Sequence, residues 1–231
     1  MKSLRSLPRV FLPGVNPESL IDLPAAELDK LRKVLRLSPG AEIAVLPDDG
    51  SMIRCRLLAK QAEPLDVHRP EVEASLRVTV CQALPKGDKA EEIVRACTEI
   101  GVSGFVMFPS DRSVMRWDEK KAADRMQRLA TIAREAAEVS FRTRLPRLEL
   151  LKSMEDVLAR FPSAQVLSES ELAVGRLAGR AEETQIVVGP EGGWSPREQA
   201  LIGDRGITLG PRVLRVDHAA PAAAALLLLG G

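Results

Sequence analysis

The sequence of 231 residues has no tyrosine and only 3% aromatic residues. Proteins that bind single-stranded nucleic acid often stack bases on aromatic side chains, so a stacking platform of that kind is not expected here. Three cysteines stand apart at Cys55, Cys81 and Cys97, and the chain has only two histidines. This inventory argues against a metal site and favours buried thiols in a reducing compartment.

The sequence also lacks a long apolar run. The C-terminal "AAPAAAALLLLGG" is too short to span a bilayer, so it predicts a buried helix and no membrane partner. The N-terminus has no extended apolar core typical of a secretory signal, and a cytoplasmic location is expected. The net charge of +1 does not by itself indicate a nucleic-acid partner.

Two patterns divide the chain. Residues 1–70 are predicted to be rich in β-structure, with a hairpin around Asp49-Gly50 and one helix that places Leu28, Leu31, Val34 and Leu35 on one face. The polar segment "EPLDVHRPEVEA" is predicted to be the linker. Residues 71–231 alternate strands with helices, which predicts an α/β domain with a mostly parallel sheet covered on both faces.

The stretch "IVVGPEGGWSPREQAL" predicts a strand, a glycine-rich turn and a helix start. Ser195 precedes Pro196 and stands three residues before Glu198, which is the spacing of a capping box with proline at the first helical position. Similar boxes are predicted at Asp88 with Glu91 and at Ser153 with Asp156. A second glycine turn occurs in "ITLGPRVLR". Neither turn matches a phosphate loop or a dinucleotide-binding fingerprint, so the glycines either approach a ligand or serve turn geometry alone.

Five segments resemble the 16S rRNA (uracil(1498)-N3)-methyltransferase family, a branch of the SPOUT methyltransferases. In chain order they are "LPKGDKAEEIVRACTEIGV", "DRSVMRW", "REAAEVSFRTRLP", "VVGPEGGWSPRE" and "LGPRVLRVDHAA". The resemblance implies a PUA-like β-barrel that binds RNA in residues 1–70. It also implies a SPOUT methyltransferase domain with a deep trefoil knot in residues 71–231. Further implications are a homodimer whose subunits share each active site, and the cofactor S-adenosylmethionine.

Carried onto this chain, the resemblance places the cofactor at both glycine turns. The implied contacts are Gly189, Glu191, Gly192, Leu209, Gly210, Val213 and Leu214. Glycines let backbone groups approach the adenosine, and apolar side chains can enclose the adenine.

Basic residues gather between Pro109 and Arg147, where ten Lys/Arg face six Asp/Glu. Such runs are usually a solvated surface, but with the resemblance we expect phosphate contacts with 16S rRNA. The expected RNA contacts are Arg9, Arg36, Arg112, Arg142 and Arg144.

The expected reaction is methyl transfer from S-adenosylmethionine to N3 of one uridine in small-subunit rRNA. Arg215 is expected to orient the substrate or stabilise charge, with Asp217 or Glu138 as the proton acceptor. The chain departs from the family at Val139, where glutamine is usual, and at Val216-Asp217-His218, where Thr-Glu-Thr is usual. Asp217 could then be only the N-cap of the last helix.

Two alternatives follow from these departures. One is a related SPOUT enzyme that methylates another RNA atom. The other is a ribosome-assembly factor that binds RNA without transferring methyl.

Overall fold

The computed structural model describes residues 3–169, 175–179 and 182–229. The chain forms two compact units. The N-terminal unit comprises Met1–Glu73 and Ala137–Leu145, and the C-terminal unit comprises Ala74–Ala136 and Pro146–Gly231. The predicted boundary at residue 70 did not anticipate that a later segment, 137–145, belongs to the first unit. The RNA-binding role expected of residues 1–70 and the methyltransferase role expected of residues 71–231 stay predictions.

The N-terminal unit is built on a five-stranded mixed sheet in the order β1-β3-β4-β5-β2. Only β1 and β3 pair in parallel; the other neighbours are antiparallel. The strands are β1 (Arg9–Phe11), β2 (Ile21–Asp22), β3 (Glu42–Leu46), β4 (Met52–Leu57) and β5 (Gln61–His68). The predicted hairpin is confirmed as β3 and β4, and Gly50 in its turn has φ 91°, a conformation that favours glycine.

The first half of the segment predicted to be a linker is a strand. β5 covers residues 61–68, and β2 pairs with it only at Gln61 and Ala62. The rest of β5 therefore has one open edge, which suits its alternating polar side chains. Pro64 falls where the pairing with β4 shifts register between Arg54 and Cys55, and bulges and edges are where sheets tolerate proline.

The predicted helix of this unit has a different shape. Helix α1 (Ala25–Asp29) continues into a π-helical turn, Lys30–Val34, in which the Leu35 N–H donates to the Lys30 carbonyl at 3.0 Å. Leu31 is buried as expected, but Val34 is 72% exposed. The prediction of one continuous apolar face was therefore wrong beyond Leu31, because the wider turn displaces the residues that follow.

The C-terminal unit contains a seven-stranded sheet in the order β10-β12-β9-β11-β6-β7-β8, and every pairing is parallel. Its strands are β6 (Arg77–Ala83), β7 (Gly104–Phe108), β8 (Arg147–Leu150), β9 (Gln165–Leu167), β10 (Gly175–Arg176), β11 (Glu183–Val188) and β12 (Gly206–Thr208). Its helices are α2 (Lys89–Ile100), most of α3 (Glu119–Val139), α4 (Met154–Arg160), α5 (Pro196–Ile202) and α6 (Val216–Leu228). The predicted α/β class with a parallel sheet is confirmed.

Both faces of this sheet are covered. Along β6, Val78 and Val80 pack into one apolar cluster with residues of α2, α3 and α6, whereas Cys81 and Ala83 pack into another with residues of α4 and α5. Alternate side chains of a strand point to opposite faces, so each strand contributes to two cores. Burial raises the pKa of the Cys81 thiol to about 12, which makes it unreactive, as expected of a buried cysteine.

Within the described ranges, no helix combines the length and apolar character needed to cross a membrane.

Candidate functional site: a cavity between two glycine turns

A cavity of about 740 Å³ opens in the C-terminal unit beyond the ends of β11 and β12. Its wall includes residues 188–194, which begin with the last residue of β11, and residues 207–216, which include the end of β12 and the segment after it. The carboxyl ends of parallel strands are where open α/β sheets bind ligands, and this volume suits a molecule the size of a nucleoside derivative.

The first turn has little room for side chains. A Cβ added to Gly189 would lie 3.1 Å from the Trp194 ring, and one added to Gly192 would lie 3.1 Å from the Arg112 Cβ. Gly193 has φ 64° and donates its N–H to the Pro190 carbonyl at 2.9 Å. The glycines therefore permit close packing within the protein as well as along the cavity wall.

The second turn is held by Thr208. Its hydroxyl accepts from the Gly210 N–H at 3.1 Å and donates to the Gly210 carbonyl at 2.9 Å. Gly210 has φ 122°, which strains any other residue. The chain then passes Val213 and Leu214, which are 72% and 36% exposed. Two apolar side chains are thus presented beside the cavity.

All seven residues expected to contact the cofactor line this cavity. They are Gly189, Glu191, Gly192, Leu209, Gly210, Val213 and Leu214. The cavity brings the two sequence motifs together, which favours a ligand over turn geometry alone.

Trp194 contributes to the wall and was missed by the sequence analysis. It is 6% exposed, its indole N–H donates to the Leu167 carbonyl at 2.9 Å, and its ring stacks on Phe108. The tryptophan directly after the glycine turn was the available signal, because a large aromatic beside glycines often fills the space that they leave.

Lys89 was also missed. It begins α2, lines the cavity and lies between two acids, with Nζ 2.7 Å from a Glu191 carboxylate oxygen and 3.9 Å from one of Asp217. Burial acts to raise the pKa of Glu191, but the hydrogen bond from Lys89 and backbone N–H groups, including that of Lys86, outweigh it, so the pKa lies below its usual value. Glu191 is therefore a carboxylate that joins the first turn to the start of α2.

The expected capping box of α2 is not formed. Asp88 occupies the N-cap position, but its side chain makes no capping hydrogen bond, and its carbonyl accepts from the Glu91 N–H instead. By contrast, the predicted capping box of Ser195 with Glu198 is confirmed. At Ser153 the serine cap is confirmed, since its side chain accepts from the Asp156 N–H, but no return bond to the Asp156 side chain is observed.

Asp217 is not the N-cap of α6. Arg215 holds that position, and Asp217 lies in the first turn with its side chain 10% exposed. The Arg215 Nε donates to Asp217 Oδ1 at 3.3 Å. Burial acts to raise the pKa of Asp217, but its own backbone N–H and the Arg215 guanidinium outweigh it, so the pKa lies below its usual value. Arg215 lines the cavity, whereas Asp217 is not among the lining residues and contacts the site through its hydrogen bond with Arg215.

Glu138, the other expected proton acceptor, is in the N-terminal unit. It is 6% exposed, its carboxylate accepts from the Phe11 N–H at 3.1 Å and from Lys30, and its carbonyl accepts from Arg9. This carboxylate accepts hydrogen bonds inside its own unit and is not among the residues that line the cavity. Its expected role as a proton acceptor stays a prediction.

The five expected RNA contacts differ in their availability. Arg142 is only 5% exposed and donates from Nη2 to Glu73 at 2.9 Å, which is the geometry of an internal ion pair. Arg9 is partly buried over the Phe141 ring. Arg36, Arg112 and Arg144 are exposed, although Arg144 donates to the Asp49 carbonyl at 2.6 Å. Arg142 is thus paired inside the protein, and all five expected RNA contacts stay predictions.

Among the described residues, no group of three or more His, Cys, Asp or Glu side chains could hold a metal ion. The cavity wall combines backbone groups of the two glycine turns with apolar, polar and charged side chains.

Comparison with known proteins places these features in one family. A sequence family described as an RNA methyltransferase domain matches residues 72–228. The ribosomal RNA small subunit methyltransferase E of Bacillus subtilis (strain 168) is 32% identical over 213 residues, which cover 84% of this chain and 83% of that protein. This chain belongs to the ribosomal RNA small subunit methyltransferase E family.

Other relatives agree over most of the chain. The methyltransferase E of Synechocystis sp. (strain ATCC 27184 / PCC 6803 / Kazusa) is 33% identical over 233 residues, covering 93% of this chain and 76% of that protein. The crystal structure of the Neisseria gonorrhoeae methyltransferase E, bound to S-adenosyl methionine, has 27% identity, a TM-score of 0.84 and 95% coverage of both chains. The resemblance stated from the sequence motifs is confirmed at the level of family and fold.

Proposed function

We propose that this protein transfers a methyl group from S-adenosylmethionine to N3 of a uridine in 16S rRNA of the small ribosomal subunit. The observation that carries the proposal is that all seven residues assigned to the cofactor by the family motifs line one and the same cavity. The Neisseria gonorrhoeae structure, a member of the same family, holds S-adenosyl methionine.

The cavity fits this cofactor by its shape and its chemistry. Its volume of about 740 Å³ is in the range of small-molecule sites. Gly189 and Gly192 line the cavity with backbone atoms, so their peptide groups can bond to an adenosine. Leu209, Val213 and Leu214 supply apolar surface for the adenine ring. S-adenosylmethionine would supply an electrophilic methyl group there.

Arg215 is proposed to act on the nucleotide. Loss of the N3 proton places negative charge on the neighbouring carbonyl oxygens of uracil. N3 then forms a bond to the methyl carbon as the bond from sulfur to that carbon breaks, and S-adenosylhomocysteine leaves. A guanidinium placed beside these oxygens stabilises that charge and makes the N3 proton easier to remove. The hydrogen bond from Arg215 to Asp217 sets the direction of the guanidinium.

Asp217 is proposed to orient Arg215 and to accept the N3 proton. Its lowered pKa keeps it ionised at neutral pH, so it is available as an acceptor but is a weak base. Proton removal therefore depends on charge stabilisation by Arg215, and the two residues act as a pair.

The remaining features of the family resemblance are proposals as well. We infer a trefoil knot in the C-terminal unit, where β9 lies between β11 and β12 although it precedes both in the chain. We infer a PUA-like RNA-binding role for the N-terminal unit, a homodimer as the working form, and a cytoplasmic location, where rRNA substrates are found.

Mass spectrometry of rRNA tests the proposed function directly. Small subunits from a strain lacking this gene are incubated with the purified protein and S-adenosylmethionine, and the methylated nucleotide is identified. We expect one new 3-methyluridine. Methylation of another atom would support the related enzyme with a different target, and tight RNA binding without turnover would support the assembly factor; either result overturns the proposal.

A further inference from the structure

The segment after β7 reaches the cavity wall through Arg112. The Arg112 Nη1 donates to the Gly192 carbonyl at 2.9 Å, and its Cβ occupies the space that a side chain at position 192 would need. The backbone and the side chain of Arg112 therefore both lie against the first glycine turn. Its guanidinium has five N–H donors, so others can reach a ligand in the cavity that it lines.

The residue before it is held by a buried carboxylate. Glu198 is 0% exposed, and its two oxygens serve two different segments. Oε2 accepts from the Ser195 N–H at 2.9 Å, which is the usual capping-box bond, and Oε1 accepts from the Asp111 N–H at 3.0 Å. Glu198 thus joins the N-cap of α5 to the backbone next to Arg112.

Asp111 adds a second connection through its side chain. Oδ2 accepts from the Ser195 hydroxyl at 2.6 Å, and the Arg197 guanidinium donates to Oδ1 at 2.7 Å and to Oδ2 at 3.0 Å. Arg197 and the Ser195 hydroxyl lower the pKa of Asp111 to about 2, so these bonds persist at neutral pH. Both the backbone and the side chain of residue 111 are fixed on the start of α5.

Helix capping alone does not account for a fully buried glutamate. Helix α4 is capped by Ser153, whose side chain accepts from the Asp156 N–H at 3.2 Å, while Asp156 itself stays exposed. A cap contributes about 1 kcal/mol, whereas burying a carboxylate costs more than that unless each oxygen is well bonded. The second bond, to Asp111, is what distinguishes Glu198.

We propose that Glu198 and Asp111 are positioning residues that hold Arg112 at the cavity wall, where its guanidinium binds an anionic oxygen of the bound ligand. The inference rests on the proposed function, which supplies two sources of such an oxygen. One is the carboxylate of S-adenosylmethionine, and the other is a phosphate of the RNA. A guanidinium can bind a carboxylate or a phosphate through two N–H···O hydrogen bonds and neutralise its charge.

The variant Glu198→Gln separates positioning from capping. A glutamine side chain has one acceptor oxygen and one NH₂ donor, so it cannot accept from Asp111 and Ser195 at the same time. We expect the dissociation constant for the ligand that Arg112 contacts to rise about tenfold, as suits the loss of one hydrogen bond to a charged group. Ser153→Ala is the matched control, because it removes a helix cap of the same unit that does not line the cavity.

A double-mutant cycle decides whether Glu198 acts through Arg112. If it does, Glu198→Gln weakens binding in the wild-type chain but has no further effect in the Arg112→Ala background. Equal effects in both backgrounds would overturn the inference, as would a ligand affinity in Glu198→Gln no weaker than in Ser153→Ala.

Calorimetry with three ligands identifies the anionic oxygen. If Arg112 binds the cofactor carboxylate, Arg112→Ala should weaken binding of S-adenosylmethionine but not of methylthioadenosine, which lacks the amino-acid part. If Arg112 binds a phosphate, the substitution should weaken binding of an rRNA fragment only. Unchanged affinity for all three would overturn the inference and leave the proposed function standing. Failure of the wild-type protein to bind S-adenosylmethionine would overturn both.

Discussion

At the scale of single residues, Lys89, Glu191 and Arg215 at the cavity wall are paired with opposite charges. Lys89 lies between Glu191 and Asp217, and Arg215 donates to Asp217. A charged side chain that is paired keeps its ionisation state and its orientation. A reaction that depends on the positioning of the reacting groups requires both. The side chain of Asp217 is shorter than the glutamate usual in the family, and here it is held by neighbours on both sides.

The pair Asp217 and Arg215 can be tested by three variants. Asp217→Asn removes the charge but keeps the shape, and should lower single-turnover methylation on the order of 100-fold while leaving S-adenosylmethionine affinity unchanged. Arg215→Ala should cost at least as much, because it removes the group that stabilises the uracil oxygens. Asp217→Glu, with the longer acid of the family, should keep activity. Near-normal rates in both Asp217→Asn and Arg215→Ala would remove this segment from the reaction.

A second residue-scale prediction concerns pH. The pKa of Asp111 is lowered to about 2 in the folded protein, against about 3.9 in an unfolded chain. A depressed carboxyl pKa stabilises the fold above the unfolded value, and this contribution is lost as the pH falls through the folded one. The difference in the free energy of unfolding between wild type and Asp111→Asn should therefore be largest at pH 6 and decrease between about pH 4 and pH 2. Thermal melts across this range measure it, and a gap that does not change with pH would contradict the assignment.

At the scale of elements, local signals in the sequence were sufficient for strands and caps. The alternation of β6 and the Ser195–Glu198 spacing are properties of short segments, and both were predicted. The wide turn after α1 was not, because no local signal marks a π-helical turn. The roles of Trp194, Lys89 and Glu198 depend on contacts with segments distant in the chain, which periodicity does not report.

The sequence predicted that the last helix, α6, would be buried, and Ala220, Ala223 and Ala224 lie in the core of their own unit. The exposed apolar residues are Leu226 and Leu229, at 62% and 67%. A homodimer through α6 would therefore use these leucines.

Sedimentation velocity at micromolar concentration tests the homodimer. We expect a dimer for the wild type and a shift toward monomer for Leu226→Gln combined with Leu229→Gln, because exposed apolar groups gain by mutual burial. Leu20→Gln, a residue 50% exposed in the N-terminal unit, is the matched control and should remain dimeric. A wild-type monomer would contradict the prediction.

At the scale of the whole molecule, the chain does not divide into two consecutive pieces. Residues 137–145 complete the N-terminal unit, where Ala137 and Phe141 pack with Phe11 and Leu46. Sequence reasoning had placed a single boundary near residue 70, since the change from β-rich to alternating pattern occurs there. The return of a later segment is a long-range contact and has no compositional signal.

Shortening the chain to residues 71–231 should expose this segment. Phe141, 9% exposed in the full chain, would lose its apolar partners, so we expect increased binding of a hydrophobic dye and lower solubility. Phe141→Ser in the shortened chain should reduce the dye signal toward that of the full chain. Dye binding by the shortened chain as low as that of the full chain would show that the segment does not need its partners.

The discontinuous N-terminal unit also sets an order of events during synthesis. Its sheet strands leave the ribosome first, but the unit cannot close until residue 145 has emerged, by which time β6, β7 and α3 are already exposed. At usual elongation rates this delay is on the order of 10 s. During this time strand β6 lacks one neighbour, because β11, which pairs with it, is synthesised later. The N-terminal unit can therefore close only after residue 145, and the seven-stranded sheet only after β11 and β12, so a chain stalled in its middle would hold two open sheets for a chaperone to protect.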